Sequence, residues 1–318
     1  MKILILSIDP FGANGGIAKY NDNLLEALSK SSNLSEITVL SRKKKQKDIV
    51  LPEKISYISH SSQGVFSYTF ASLIAALNFR KHFNLVICAH INLLPLASLI
   101  ANARKIPLWT EIYGIDAWEP HRLFLVNWLI KHSSFITISH FTKQRFMQWS
   151  GVSPEKVQIL PPCFDGTEFE PGPKPTYLVE RYGLEEKIVL LTLGRLDPLE
   201  RYKGFDEVIE ALPALINHIP NIVYMIAGDG EDMGRIKHKV VSLGLKDRVV
   251  FSGFVSSDEK SDHYKLADAF VMPGRGEGFG IVYLEAMACG IPVVASKADG
   301  SQDAVRNGEL GILVDPDN

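Results

Sequence analysis

Short runs of uninterrupted apolar residues, each followed by a segment of helical period, recur along almost the whole chain, and this limits what it can fold into. In the first half the runs are KILILSI, EITVLS, NLVICAH, IPLWTEIY, FITIS and VQILP, separated by helix-like stretches such as IAKYNDNLLEALSK and HFTKQRFMQWSG. Strands that are apolar on both faces belong to a parallel sheet covered by helices on both sides. Between Pro161 and Pro175 the pattern breaks: five prolines and two glycines fall in fifteen residues, which reads as an interdomain linker. The alternation then restarts with IVLLTLG, NIVYMIAG, RVVFSGF, AFVMPG, IPVVAS and GILVDP. The expectation is α/β: two doubly wound, Rossmann-like domains facing a central cleft. The first covers residues 1–163, a linker 164–175 and the second 176–318, and a chain of 318 residues has the length for both.

Composition removes several function classes. The 34 basic and 36 acidic residues leave a net charge of −2, so no broad basicity invites nucleic acid. Cys88, Cys163 and Cys289 are far apart and form no CxxC pair, which argues against a zinc site or disulfide framework and for a reducing compartment. They read as small buried hydrophobes. The start, MKILILSIDP, is too short in its apolar part for a signal peptide. The longest apolar stretch, around Leu93 to Ala101, contains Pro95 and falls short of the ~20 residues that span a bilayer. A cytoplasmic protein is expected. The run Arg42-Lys43-Lys44-Lys45-Gln46-Lys47 reads either as a solvated loop or as a contact with anionic lipid or an acidic acceptor. The second reading puts the protein peripherally at the inner membrane face.

The chemistry concentrates in two loops. In GRGEGFG, Gly274, Gly276, Gly278 and Gly280 alternate between the strand AFVMP and the helical run IVYLEAMA. Glycines at such a turn admit a ligand to the backbone, and the helix N-terminus offers free N–H groups to phosphate. A tight turn needing positive φ is the plainer reading, though it rarely requires four glycines. Glu277 lies in this loop and Glu285 eight residues on. A glycosidase pair stands about 5–9.5 Å apart, whereas eight helical residues rise roughly 12 Å. That spacing suits two carboxylates gripping opposite ends of an elongated ligand; either alone also reads as a solvated helix residue.

The second loop, GRLDPLERYKG, follows the strand IVLLTL and carries Arg195 and Lys203 between Gly194 and Gly204. Fixed cations there would stabilise a departing diphosphate without a metal ion; alternatively Arg201 and Lys203 open a solvated helix. In PFGANGG, Gly12, Gly15 and Gly16 again leave backbone room for phosphate. This is not GxGxxG, and no acidic residue closes the second strand. Arg42 and Lys43 there keep an NADP-linked oxidoreductase as a rival. GDGED, with Asp229 and Asp232, reads as a turn with a helix cap rather than a metal site. The chain contains no GxxxxGK[ST], HExxH or GxSxG motif.

Taken together, these segments resemble the retaining glycosyltransferases of GT-B architecture, glycosyltransferase family 4, also described as glycosyl transferases group 1. That family contains sucrose synthases and many bacterial mannosyl- and glucosyltransferases of polysaccharide and glycolipid synthesis. GRLDPLERYKGFDEVIEAL is similar to its diphosphate-binding element and PGRGEGFGIVYLEAMACGIPVVAS to its E-x7-E signature. IAGDGEDMGRIKHKVVSLGLKDRVVFSGFV is similar to the strand–helix–strand lining the base. GGIAKY, TEIYGIDAW, ITISHFTKQRF and ILPPCFDGTEF have weaker counterparts. The resemblance implies that Arg195 and Lys203 bind the diphosphate, with Gly15 and Gly16 approaching it. It also implies that Glu277 faces the donor sugar, with the backbone of Gly278, Phe279 and Gly280 beside it. Glu285 would hold the ribose, and Gly253, Phe254 and Val255 would lie beside the base.

The resemblance further implies a hexose moved from a UDP- or GDP-linked sugar to a saccharide or lipid-linked acceptor, with no cofactor and no metal. Many relatives have histidine where this chain has Tyr113, which makes Tyr113 and His90 the candidate helpers in the first domain. Family members usually continue into helices that cross back to the first domain, which the chain ending at Asn318 is expected to lack. A nucleotide-sugar epimerase and a catalytically weak sugar-nucleotide-binding subunit are the alternatives.

Overall fold

The computed structural model describes residues 1–8, 15–42, 50–59, 68–69, 72–74, 82–164 and 166–318. The chain divides into two compact units, Met1–Cys163 and Phe164–Asn318.

The first unit is built on a seven-stranded parallel sheet. Its strands are β1 (Lys2–Ser7), β2 (Glu36–Ser41), β3 (Ile55–Ser59), β4 (Leu85–Cys88), β5 (Leu108–Ile112), β6 (Ser134–Thr137) and β7 (Val157–Ile159). Their order across the sheet is β3-β2-β1-β4-β5-β6-β7. The described helices are α1 (Gly16–Lys30), α2 (Leu94–Arg104), α3 (Phe124–Leu129) and α4 (His140–Ser150). β1 is apolar from Ile3 to Leu6 because both its faces are covered. Leu4 and Leu6 enter one core with residues of α2 and α4, while Ile3 and Ile5 enter another with Leu25 of α1. The edge strand β3, ISYIS, was not expected. It pairs with β2 from Ile37↔Ile55 to Ser41↔Ser59, and Ile55 is its one buried residue.

The second unit carries six parallel strands: β8 (Ile188–Leu193), β9 (Ile222–Ala227), β10 (Val249–Gly253), β11 (Ala269–Met272), β12 (Val293–Ser296) and β13 (Ile312–Val314). Its helices are α5 (Thr176–Tyr182), α6 (Phe205–His218), α7 (Met233–Ser242), α8 (Ser257–Lys265), α9 (Ile281–Ala288) and α10 (Ser301–Ala304). The order is β10-β9-β8-β11-β12-β13, so the direction of winding reverses between β8 and β11. A parallel sheet opens a ligand crevice at that point, beyond the carboxyl ends of its strands. In the first sheet the same reversal falls between β1 and β4.

The proline-rich stretch is not free chain. After a 3-10 turn at Gly166–Glu168, Phe169 is buried edge-on against Tyr264 of α8, with ring centroids 6.1 Å apart. The cysteines differ from expectation in one place: Cys88 and Cys289 are buried, but Cys163 is exposed. Among the described residues no helix is long and apolar enough to cross a membrane.

Candidate functional site

Both chemistry-bearing loops leave the strands that flank the reversal point of the second sheet. The loop after β8 runs from Gly194 into a 3-10 segment, Pro198–Lys203, opened by Asp197, whose side chain accepts from Leu199 N at 2.9 Å. Gly204 ends it in the left-handed region (φ 88°), and a Cβ there would lie 2.7 Å from the Pro273 carbonyl oxygen. The loops after β8 and β11 are therefore in contact. Arg195 and Lys203, expected to wait for a diphosphate, meet on one internal anion. Lys203 Nζ is 2.7 Å from Glu200 Oε2, and the Arg195 guanidinium hydrogen-bonds both Glu200 oxygens. Burial pushes the Glu200 carboxyl up, but hydrogen bonds from Arg195 and Lys203 outweigh it and hold its pKa below the ordinary value. Arg201 does not open a solvated helix: it pairs with Asp232 at 2.8 Å. Nor does Asp232 cap α7 with its side chain. Its carboxylate is buried and held by Arg201 and Arg235, tying the cation loop to α7.

The glycine loop after β11 is shaped by the protein's own packing as well as by its openness. A Cβ on Gly276 would lie 2.5 Å from Tyr202 Cγ, and one on Gly274 would lie 2.7 Å from the Tyr202 carbonyl oxygen. Gly280 starts α9 at φ 86°, with the Tyr283 ring against it. The helix spans Ile281–Ala288, so Glu277 precedes it and the rise of roughly 12 Å between the two glutamates does not follow from helical geometry. Asp299 fixes this loop. Fully buried, it accepts from Glu277 N at 2.9 Å, Ser301 N at 3.0 Å and the Ser301 hydroxyl at 2.6 Å. Gly300 N in turn donates to the Glu277 carbonyl at 2.8 Å. Burial pushes the Glu277 carboxyl up, with the Lys203 charge opposing it. Gly278, Phe279 and Gly280 complete the turn, Phe279 being buried.

Glu285 is a buried side chain of α9, not a solvated one. Lys260 Nζ lies 2.6 Å from its Oε1, and the Tyr264 hydroxyl donates to its Oε2 at 2.7 Å. At the carboxyl end of β10, Gly253 takes φ 72° and Phe254 is 70% exposed, with Val255 following.

In the first unit, Gly15 is the N-cap of α1 and Gly16 its first residue, and a Cβ on either would meet open space. Gly12 and residues 43–47 of the charge run lie outside the described residues; Arg42 is exposed. His90 follows β4, its Nδ1 accepting from Asn92 N at 3.1 Å; burial, then the charge of His121, lower its pKa. Tyr113 is turned inward. Its hydroxyl donates to Glu111, two residues back in β5, and accepts from Asn21 Nδ2 at 3.0 Å. Burial and the Glu111 carboxylate raise its pKa well above the ordinary value, so it is a buried hydrogen-bond donor.

Two family models divide the chain between them: Glycosyltransferase Family 4 matches residues 14–167 and Glycosyl transferases group 1 matches residues 179–318. The chain belongs to this glycosyltransferase family. The GDP-mannose-dependent alpha-(1-6)-phosphatidylinositol monomannoside mannosyltransferase of Mycolicibacterium smegmatis is 38% identical over 186 residues, 56% of this chain and 48% of its own length. Mannosylfructose-phosphate synthase of Agrobacterium fabrum is 35% identical over 176 residues, 52% of this chain and 38% of its own. The chain spans about half the length, or less, of the curated relatives it matches. Among solved structures, Anabaena HepE in complex with UDP and glucose superposes with a TM-score of 0.78 at 22% identity, covering 99% of this chain and 86% of that one. The sucrose-phosphate synthase of Thermosynechococcus elongatus gives 0.76 at 20% identity, covering 100% and 86%. The fold is GT-B.

For this glycosyltransferase family member, sequence reasoning missed Glu200, Lys260, Tyr264 and Asp299. A carboxylate between Arg195 and Lys203 in GRLDPLERYKG was a visible signal for Glu200. Nothing local marks Lys260 or Asp299, because their partners come from other elements.

Proposed function

We propose that the chain moves a hexose from a nucleoside-diphosphate sugar to a saccharide or lipid-linked acceptor, retaining anomeric configuration and using no metal ion. The observation that carries this reading is the meeting of a two-cation loop with a glycine loop and helix N-terminus at the reversal point of the second sheet. Arg195 and Lys203 exchange Glu200 for the donor's diphosphate, and the N-terminus of α9 adds a positive dipole end. Glu277, held by Asp299, faces the sugar; Glu285, held by Lys260 and Tyr264, takes the ribose hydroxyls; Phe254 stacks on the base. The bond from the anomeric carbon to the phosphate oxygen breaks as that carbon bonds the acceptor oxygen on the same face. The acceptor proton passes to the departing phosphate, so no protein base is obligatory.

The Mycolicibacterium relative is named for GDP-mannose and the Anabaena protein was solved with UDP, so guanosine and uridine donors come first. The test is release of nucleoside diphosphate from each donor, with acceptor, in saturating EDTA, and proton NMR of the product's anomeric coupling. Undiminished turnover and a product of the donor's own anomeric configuration are expected. Turnover abolished by EDTA and restored by magnesium, or an inverted product, overturns the reading.

A further inference from the structure

Asp299 is a fully buried carboxylate with no cation among its hydrogen-bond partners in the described residues. Burying such a group is costly unless N–H and O–H groups replace its water. Here they do so on both oxygens. Oδ2 accepts from Glu277 N at 2.9 Å, while Oδ1 accepts from Ser301 N at 3.0 Å and from the Ser301 hydroxyl at 2.6 Å. The Ser301 hydroxyl oxygen in turn accepts from Ser296 N, at the end of β12, at 3.1 Å. One oxygen of Asp299 therefore faces the glycine loop, and the other is tied through Ser301 to the sheet.

The backbone closes the same contact. Gly300 N donates to the Glu277 carbonyl at 2.8 Å, and a Cβ on Gly300 would lie 2.1 Å from the Gly278 carbonyl oxygen. Gly300 has an ordinary φ of −69°, so it is the glycine loop pressed against it that excludes a side chain there. Glu277 is thus held at its N–H by Asp299 and at its carbonyl by Gly300. The groups assigned to the nucleotide have their own supports. Arg195 and Lys203 meet on Glu200, and Glu285 is held by Lys260 and Tyr264.

We propose that Asp299 and Ser301 are positioning residues for sugar transfer, which hold the Glu277 main chain for the sugar end of the donor and leave the nucleotide end alone. This rests on the transferase reading. Neither residue touches the substrate. Ser301 fixes Asp299, Asp299 fixes the N–H of Glu277, and the Glu277 carboxylate then meets the sugar from a backbone already in place. The charge of Asp299 is less important than its two acceptor oxygens. An asparagine of the same shape has one acceptor, and whichever way its amide turned, the NH2 would face the N–H of Glu277 or that of Ser301.

The test compares Asp299→Asn, Ser301→Ala and the double variant with the wild type. Calorimetry gives the affinity for free nucleoside diphosphate, and steady-state rates give kcat and KM with the guanosine or uridine donor that the wild type turns over. Rates are counted per nucleotide-binding site, so unfolded chains do not enter. Asp299→Asn should lower kcat on the order of a hundredfold, the cost of displacing a reacting contact by about 1 Å. Affinity for the free nucleoside diphosphate should stay within about twofold, since its contacts share no partner with Asp299. Ser301→Ala keeps both N–H bonds to Asp299 and should lower kcat about tenfold, the worth of one hydrogen bond to a charged group. If Asp299→Asn does not fold, Ser301→Ala alone decides. The double variant should fall within about twofold of Asp299→Asn, because Ser301 acts through Asp299. Wild-type kcat in the folded variants overturns the proposal, as does a double variant whose losses multiply. A loss of nucleoside diphosphate affinity as large as the loss of kcat also overturns it, by making Asp299 a support of the whole second unit. A wild type that binds nucleoside diphosphate but turns over no donor overturns the transferase reading itself, and the proposal with it.

Discussion

A carboxylate held by two cations is a counter-ion that a stronger anion can replace, and Glu200 stands in that relation to Arg195 and Lys203. Lys203→Ala should weaken nucleoside diphosphate binding tenfold to a hundredfold, the worth of roughly 1.5–3 kcal/mol for a charge-assisted hydrogen bond, and leave nucleoside binding alone. Glu200→Gln should act the other way. With the internal anion neutral, both cations are released and the diphosphate should bind about tenfold tighter, by calorimetry. Equal affinities in the Gln variant and the wild type would make Glu200 a bystander. Glu111 supports a pH prediction. Burial pushes its carboxyl up to about 7, against the hydrogen bond from Tyr113, and its Oε1 is buried without a partner among the described residues. The folded chain thus holds more protons than the unfolded chain between about pH 4.5 and 7, and stability falls as pH rises through that window. Glu111→Gln keeps an acceptor for the tyrosine and abolishes that titration. It should flatten the fall and raise stability at pH 8 by at most on the order of 3 kcal/mol. Asp116, pushed up by burial to about 7, leaves a residual slope of the same sign. Urea midpoints at pH 5 and pH 8 measure both; an unchanged slope in the variant would show that Glu111 does not titrate there.

At the scale of elements, the glycine loop and the cation loop are one object. Gly276 leaves room for the Tyr202 ring, and Tyr202 precedes Lys203. Gly276 is not among the positive-φ residues, so Gly276→Ala tests packing alone. The methyl should force the ring aside, destabilise the chain by about 1–3 kcal/mol and weaken diphosphate binding through Lys203. In a Tyr202→Ala background the same change should be nearly silent, a coupling on the order of 1 kcal/mol or more. If Gly276→Ala costs as much without the ring, the contact is not the cause. This interlock also marks what could be read from the chain beforehand. The unbroken apolar strands were legible because burial on both faces demands them, as in β1 and β9, where period and composition agree. The edge strand β3 was not, since a serine-containing segment with one buried isoleucine carries too weak an apolar signal. The glycine pattern was legible as a loop, but its reasons were not: two of the four residues answer to Tyr202, more than seventy positions earlier. Tyr113 stood as a candidate helper where many relatives have histidine, and only the fold shows that Glu111 and Asn21 hydrogen-bond its hydroxyl.

For the whole molecule, each unit has its own sheet and its own apolar cores, and each is matched by its own family model. The proposed nucleotide contacts of Arg195, Lys203, Phe254 and Glu285 all lie in the second unit. A free nucleoside diphosphate should therefore stabilise that unit and leave the first where it was. The chain carries a convenient reporter, because its four tryptophans, Trp109, Trp118, Trp128 and Trp149, all fall in the first unit. Tryptophan emission then follows one unit, while far-ultraviolet circular dichroism follows both. Nucleotide at 100 times its dissociation constant adds about 2.7 kcal/mol to the unit that binds it. For a unit of this size each kcal/mol moves the midpoint by roughly 2–4 °C, so part of the dichroism transition should rise by roughly 5–10 °C. The emission midpoint should stay within about 1 °C of its unliganded value on the same grounds. Lys203→Ala should abolish the shift at the same nucleotide concentration. An emission midpoint that rises together with the dichroism would mean either that the two units unfold as one or that the nucleotide is gripped from the first. Gly15→Ala, which changes only the first unit, separates those outcomes: it should reduce the shift only if the first unit grips the nucleotide.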